Sequence, residues 1–494
     1  MSVFARVARN TSWTLASNVW NKANAALFFI VVSRLLGPQE LGRFSLVQTF
    51  FFYFYFLSNF GISQTVVREI ARDKSRQEEI FFNAFTLRFI LATVSSALLA
   101  IFVFVAPYPE DIRLYMAIMG VSIFTTVISD GAQNLFVAHE RLKVPAVMGM
   151  FYTSLSSLGG LACIVAGYGL REVFMVTAVA HVWVAGANMW LVRREYQAHR
   201  FQLDSVVARA LLRETLPLGL LIIMTIIHGK IDLVMLSKIP GGADLAGGPV
   251  DELVAVGCYS VSYKLFETSA IALLALRKAL MPTISTAMSE GPKRVHAAYL
   301  RFCGVLTLLY GLPLVLFTPF GAKWIVTLVF GADFVLATVP VMILAFAYAL
   351  YAYNALMIPI LINSKRLLSF TGFGFLMIGI NIALNALFIP RWSLNGAAAA
   401  TLISTVIMTG FKFRVIGQEF GASAVFRLSR RAGWVALLGL LAASSIHFTL
   451  GWAPLAVTVG LTTYFAFLMG LRVLPLEDRR IFGRVGARLA RLKG

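Results

Sequence analysis

Residues 215–238 read TLPLGLLIIMTIIHGKIDLVMLSK, a run long enough to cross a bilayer and almost free of charge. A membrane-spanning helix needs about 20 mostly apolar residues. About fourteen such stretches follow one another, near 12–36, 42–63, 84–106, 112–137, 146–168, 172–192, 215–238, 254–278, 298–320, 337–362, 369–389, 395–415, 434–451 and 453–474. Inside lipid every backbone amide and carbonyl needs an internal partner. The expected fold is therefore an all-α polytopic membrane protein. The piece GAKWIVTLVFGADF (321–334), between the ninth and tenth stretches, is expected to be re-entrant or interfacial.

Composition supports this. Only 13% of the 494 residues are charged, against roughly 25% in soluble domains. The net charge of +20 would suggest nucleic acid in a soluble protein, but here its placement explains it. Cations crowd alternate loops, among them Arg68, Arg72, Arg141, Lys143, Arg193, Arg194, Lys365 and Arg366. The other loops carry acids such as Glu110, Asp111, Asp251 and Glu252. By the positive-inside rule both termini are cytoplasmic, and no nucleic-acid partner is needed. MSVFARVARNTSW lacks a short apolar core with a small-residue cleavage site and reads as a basic cytoplasmic start. The tail RRIFGRVGARLARLKG places apolar and basic residues at helical spacing, which suits a helix lying on the inner leaflet. The three cysteines show no metal or disulfide spacing.

The chain repeats itself. SRLLGPQELGRFSLV (33–47) is echoed by SKIPGGADLAGGPVDELVAVGCYSV (237–261), with Gly42–Ser45 answering Gly257–Ser260. LFVAHERLK (135–143) answers PILINSKRL (359–367), and YGLREVFMVTAVAH (168–181) answers WSLNGAAAATLIST (392–405), both at one offset. Units of six spans insert with the same orientation. The expected organisation is two six-helix lobes, 1–200 and 210–420, around a central cleft. Two extra C-terminal helices at 430–475 and the basic amphipathic tail at 476–494 complete it.

Charges within spans are costly and mark function or buried pairs. The cations Lys22, Arg88, Lys230 and Lys264 are candidates for binding an anion in the cleft. At 1.5 Å per residue, Lys22 and Lys264 lie roughly 15 Å deep. Arg277 and Lys278, at an inner helix end, are expected to snorkel. Asp130, Asp232 and Glu267 are candidates for ion coupling, although Asp130, near the cytoplasmic end of its span, would equally pair with a loop cation. Lys264 and Glu267 share a helix face. His228 and Asp232 are about 40° apart around their helix and Lys230 about 160° from Asp232, so Lys230 and Asp232 do not readily neutralise each other. The run FFFYFYF (50–56) reads as lipid-facing packing or as ring faces for sugar. No GxxxxGK[ST] loop and no HExxH occur. No metal, cofactor or catalytic residue is assigned, and the short outward loops argue against an enzyme.

SRLLGPQELGRFSLVQTF…SNFGISQTVVREIARDKSR (33–76) and KIDLVMLSKIPGG…VGCYSVSYKLFETSAIALLALRKALMPTIS (230–285) resemble Wzx-type polysaccharide flippases of the multidrug/oligosaccharidyl-lipid/polysaccharide exporter superfamily. Lys230-Ile231-Asp232 stands where such families commonly carry Arg-Ile-Asp, and the Gly-rich 240–249 is a further departure. The resemblance implies a flippase in the bacterial inner membrane. It would move undecaprenyl-pyrophosphate-linked oligosaccharide to the outer leaflet by alternating access, among membrane lipids and beside polysaccharide polymerase machinery. It also implies that Lys22 and Lys264, on the first and eighth spans, hold pyrophosphate. Multidrug or metabolite efflux within the same superfamily is the alternative.

Overall fold

The structure is a computed structural model describing residues 3–196, 203–242, 250–267, 312–363, 367–420 and 452–470. Its elements are α1 (Val3–Asn59), α2 (Ile62–Arg72), α3 (Gln77–Val105), α4 (Glu110–Ala138), α5 (Lys143–Val165), α6 (Leu170–Tyr196) and α7 (Ser205–Leu236), followed by α8 (252–267), α9 (Leu312–Phe330), α10 (Thr338–Asn363), α11 (Leu367–Phe420) and α12 (Ala453–Gly470). Among the described residues there is no strand. The protein is an all-helical, multi-span membrane protein. Eight helical stretches among the described residues are long and apolar enough to cross a bilayer. Two of these, Arg9–Arg72 and Gly372–Lys412, are much longer than one crossing.

Each long stretch breaks where local chemistry demands it. Within α1 the backbone leaves the helical region at Gly37 (φ 77°, ψ −179°), just before Pro38. A residue preceding proline is driven out of the helical region, and glycine reaches positive φ without a Cβ clash. This separates the first expected span from the second. In α11 the break falls at Ser393 (φ 46°, ψ −127°), three residues after Pro390, between the eleventh and twelfth expected spans. The expected ninth span ends at 320, and in the structure α9 runs on into the segment 321–334. Its residues to Phe330 continue α9, and Gly331 (φ 112°) then opens a 3-10 turn, Ala332–Ala337, leading into α10. The helix-forming residues up to Phe330 meet no stop signal before that glycine.

Helix starts are capped by carboxylates. Asp204 accepts from the Val206 and Val207 amides at α7, and Asp251 from the Leu253 and Val254 amides at α8. Glu110 and Asp111 occupy the first turn of α4, where a helix N-terminus favours negative charge. Between α2 and α3, Asp73 accepts from the amide and hydroxyl of Ser75. Those bonds hold its carboxyl below the ordinary aspartate value.

Contacts divide the chain into two compact units. The first comprises Met1–Ser260 and Leu367–Leu394. In it α4 packs on α6 and α3, while α1 packs on α5, α3, α4 and α7. The amphipathic α2 turns Ile62, Val66 and Ile70 into a core with Ile80, Phe81 and Phe136, and leaves Arg68 and Arg72 exposed. The spacing of those three apolar residues, four apart, is what a single helix face requires. The second unit comprises Val261–Arg366 and Asn395–Gly494. There α9 packs on α10 and α12, the Phe266 ring stacks on Tyr348 at 4.8 Å, and the Asn354 amide donates to Thr409 Oγ1 at 2.8 Å. Arg277, Lys278, Cys303, the expected thirteenth span and the basic tail lie outside the described residues.

Candidate functional site

The second part of α1 carries the aromatic run 50–56. Phe52 is exposed, but Phe50 and Phe51 are buried against protein. Phe51 stacks on Tyr55 and contacts the His181 ring of α6. Tyr53 and Tyr55 are two residues apart, hence about 200° around the helix, and their hydroxyls meet different surroundings. The Tyr55 hydroxyl donates to Asp130 Oδ2 of α4. The Tyr53 hydroxyl is buried without a hydrogen-bond partner among the described residues.

Asp130 also receives Arg88. The guanidinium Nη2 lies 3.4 Å from Asp130 Oδ2, and the arginine is 1% exposed on α3. Two charges predicted independently are thus brought together. Asp130, expected either as an ion-coupling acid or as the partner of a loop cation, meets instead a cation from a neighbouring span. A buried arginine with a single carboxylate neighbour is costly unless its remaining N–H groups are satisfied, yet Nε and Nη1 have no partner. Arg88 lines a small pocket with Val66, Phe81, Phe85 and Asn134. Next to Asp130 on the same helix, Ser129 accepts from Asn188 of α6 at 2.8 Å.

Asp232 is 1% exposed. Its Oδ2 accepts from the Tyr259 hydroxyl of α8 at 2.7 Å, and its Oδ1 from the Leu233 amide at 2.9 Å. Tyr259 is fully buried. Lys230, two residues earlier, is half-buried, as expected for a side chain on another face of α7. Lys22 is half-buried on α1 and has no hydrogen bond or ion pair among the described residues. Lys264 and Glu267 are half-buried on consecutive turns of α8, within the second unit. Tyr55 and Tyr259 were not singled out as partners of the acids from sequence. The available signal was a polar hydroxyl inside a span, which calls for a partner when buried.

At the opposite ends of these helices from the α1–α2 corner, backbones meet directly. A Cβ added at Gly42 would collide with the Leu253 carbonyl and come within 3.2 Å of the Gly257 amide nitrogen. One added at Gly257 would collide with the Pro38 carbonyl and come within 3.1 Å of the Gly42 nitrogen. The two repeat-related glycines therefore cross each other. Around them Arg43 pairs with Glu40 and, at 2.9 Å, with Asp111. The Tyr108 hydroxyl shares a 2.9 Å hydrogen bond with Ser237 Oγ. Lys238 donates to the Pro107 carbonyl and sits 3.3 Å from the Tyr108 ring centroid. Gly241 and Gly242, the first residues of the Gly-rich stretch, lie against Ser393 and Pro390 at the α11 break.

Comparison with known proteins gives the wider setting. The solved lipid II flippase MurJ, in an inward closed conformation, is similar with a TM-score of 0.71 at 12% identity, covering 92% of this chain and 98% of that one. An inward-facing multidrug resistance MATE family transporter of the MOP superfamily is similar with a TM-score of 0.57 at 16% identity, covering 82% and 96%. The Vibrio cholerae MATE transporter VcmN gives 0.55 at 13% identity, covering 85% and 98%. At such identities the likeness is one of fold. No curated protein sequence matches. Residues 7–288, more than half of the chain, match the family described as polysaccharide biosynthesis protein. With the fold of MOP-superfamily transporters and that match, the chain belongs to the polysaccharide biosynthesis protein family.

Proposed function

We propose that this protein is a flippase that carries undecaprenyl-pyrophosphate-linked oligosaccharide from the cytoplasmic to the outer leaflet by alternating access, for surface polysaccharide export. The observation that carries the reading is the family match over 7–288. The intramembrane charge balance supports it. Lys22, Arg88, Lys230 and Lys264 outnumber the acids beside them, and cations are the natural partners of phosphate oxygens. Lys22, Lys230 and Lys264 are assigned to the pyrophosphate or acidic sugar groups. Arg88, held by Asp130, offers its remaining N–H edge. Asp130, Asp232 and Glu267 are assigned to ion coupling. In this reading residues 1–200 and 210–420 are the two lobes, both termini are cytoplasmic in a bacterial inner membrane, and a polysaccharide polymerase takes the product. Multidrug efflux by the same fold is the second reading, supported by the MATE likeness, but organic cations favour an acidic path.

Deletion of the gene should leave lipid-linked repeat units on the cytoplasmic leaflet, and Lys22→Ala or Lys264→Ala should reproduce that in protein that reaches the membrane. Normal surface glycan in the deletion strain, with altered drug tolerance instead, would transfer the assignment to efflux.

A further inference from the structure

Arg88 is the bulkiest of the almost wholly buried side chains among the described residues. A guanidinium carries five N–H donors. Asp130 meets it at Nη2, while Nε and Nη1 have no acceptor among the described residues. A buried charged donor without a partner is costly, and water or an ion is the usual answer where protein supplies none. The free space against this side chain is the pocket between α2, α3 and α4. Val66, Phe81, Ala84 and Phe85 wall it. Among the described lining residues Asn134 is the only polar one besides Arg88, and none is an acid. The empty space is about 200 Å³, below the roughly 300–1,000 Å³ of sites for drug-sized ligands. A water would fit, but it has protons of its own to place. The one side-chain acceptor here is the Asn134 carbonyl, and backbone carbonyls within helices are already engaged. Arg88 and the Asn134 amide are donors, so the guest that suits them accepts and does not donate.

We propose that this pocket binds a single halide-sized inorganic anion, chloride in a cell, held by the Arg88 guanidinium and the Asn134 amide. Phosphate suits it less, because oxygens turned toward Phe81 and Phe85 would be left unpaired. All of the residues involved belong to the first unit, so the site needs nothing from the second. It stands whether or not the chain carries glycan. In the transport reading Arg88 is also offered to the cargo, and halide and cargo phosphate are then alternatives for one arginine.

The experiment uses purified full-length protein in detergent, dialysed against radiolabelled chloride in a gluconate buffer of fixed ionic strength. The protein should retain a single chloride per chain, displaced by excess bromide and not by gluconate. Ala84→Leu fills the pocket and leaves Arg88 and Asp130 in place, and it should lose that chloride. Lys22→Ala/Lys264→Ala removes the cations assigned to the cargo and should keep it. Absence of displaceable chloride from the unaltered protein would overturn the site, as would binding of phosphate in place of halide. Chloride retained by Ala84→Leu and lost from Lys22→Ala/Lys264→Ala would overturn it too, by placing the anion with the other cations. If Ala84→Leu does not fold, bromide-soaked crystals of the unaltered protein decide the matter. Their anomalous signal should fall beside Arg88, and bromide found only elsewhere would refute the assignment.

Discussion

Two carboxylates within spans are treated differently. Asp130 keeps a side-chain exposure of 28% and faces both Tyr55 and the guanidinium of Arg88. Asp232 is almost wholly buried and rests on the Tyr259 hydroxyl and the amide of the next residue in its own helix. The first is a centre in which one charge answers another across α3 and α4. The second accepts, among its contacts, from two neutral donors of α7 and α8. Low-dielectric surroundings make both arrangements consequential. The contrast teaches that an acid in a span is not one kind of object. Its role follows from whether a cation or a hydroxyl meets it.

The sharpest way to break the comparison is to remove Arg88. Arg88→Met leaves Asp130 without its counter-charge, and losing one partner of a buried pair costs about 3–5 kcal/mol. Thermal unfolding in detergent should show a large loss, and the double variant Arg88→Met/Asp130→Leu should recover most of it. A double variant as unstable as Arg88→Met would mean that the two do not act as a pair. Next comes Tyr259→Phe. It withdraws a hydrogen bond from a carboxylate that water cannot reach, at about 1–3 kcal/mol. Tyr55→Phe should cost less, about 0.5–1.5 kcal/mol, because Asp130 retains Arg88 and some access to solvent. Equal losses for the two tyrosine variants would erase the distinction drawn between the acids.

The smallest effect lies outside the membrane. Asp73 has its folded pKa lowered by the Ser75 amide and hydroxyl. A depressed carboxylate contributes stability above its unfolded value and loses it as pH falls through the folded one. Protection of the amides in the turn Lys74–Arg76, relative to their intrinsic exchange rate, should therefore fall only as pH drops below about 3.8, and Asp73→Ala should remove that dependence.

Much of the fold was legible in the sequence because lipid leaves the chain few choices. Apolar length marked the spans, and Gly37-Pro38 announced its own break through local sterics. The Gly42–Ser45 and Gly257–Ser260 echo was visible as a repeat, but that its two glycines touch was not. That depends on how helices far apart in sequence cross. The ninth expected span ended ten residues before α9 does, because charge and glycine at the ends of 321–334 look the same whether a helix continues or stops. Arg88 and Asp130 were each found by their cost in lipid, but not matched. Helical periodicity orders residues within one helix and says nothing of its neighbours. For the same reason Tyr53 and Tyr55 were read with the surrounding phenylalanines.

The Arg88–Asp130 pair also has an electrical consequence. A membrane potential acts on each unit charge with about 2.3 kcal/mol per 100 mV across the full bilayer. With both groups ionised the pair sums to zero, so the field exerts no net pull on this centre when α3 and α4 move together. The voltage still acts on other charges within the spans of the first unit, Lys22 among them, and on any charged cargo held beside them. Neutralising Arg88 alone would leave a net negative charge at this centre and expose it to the field.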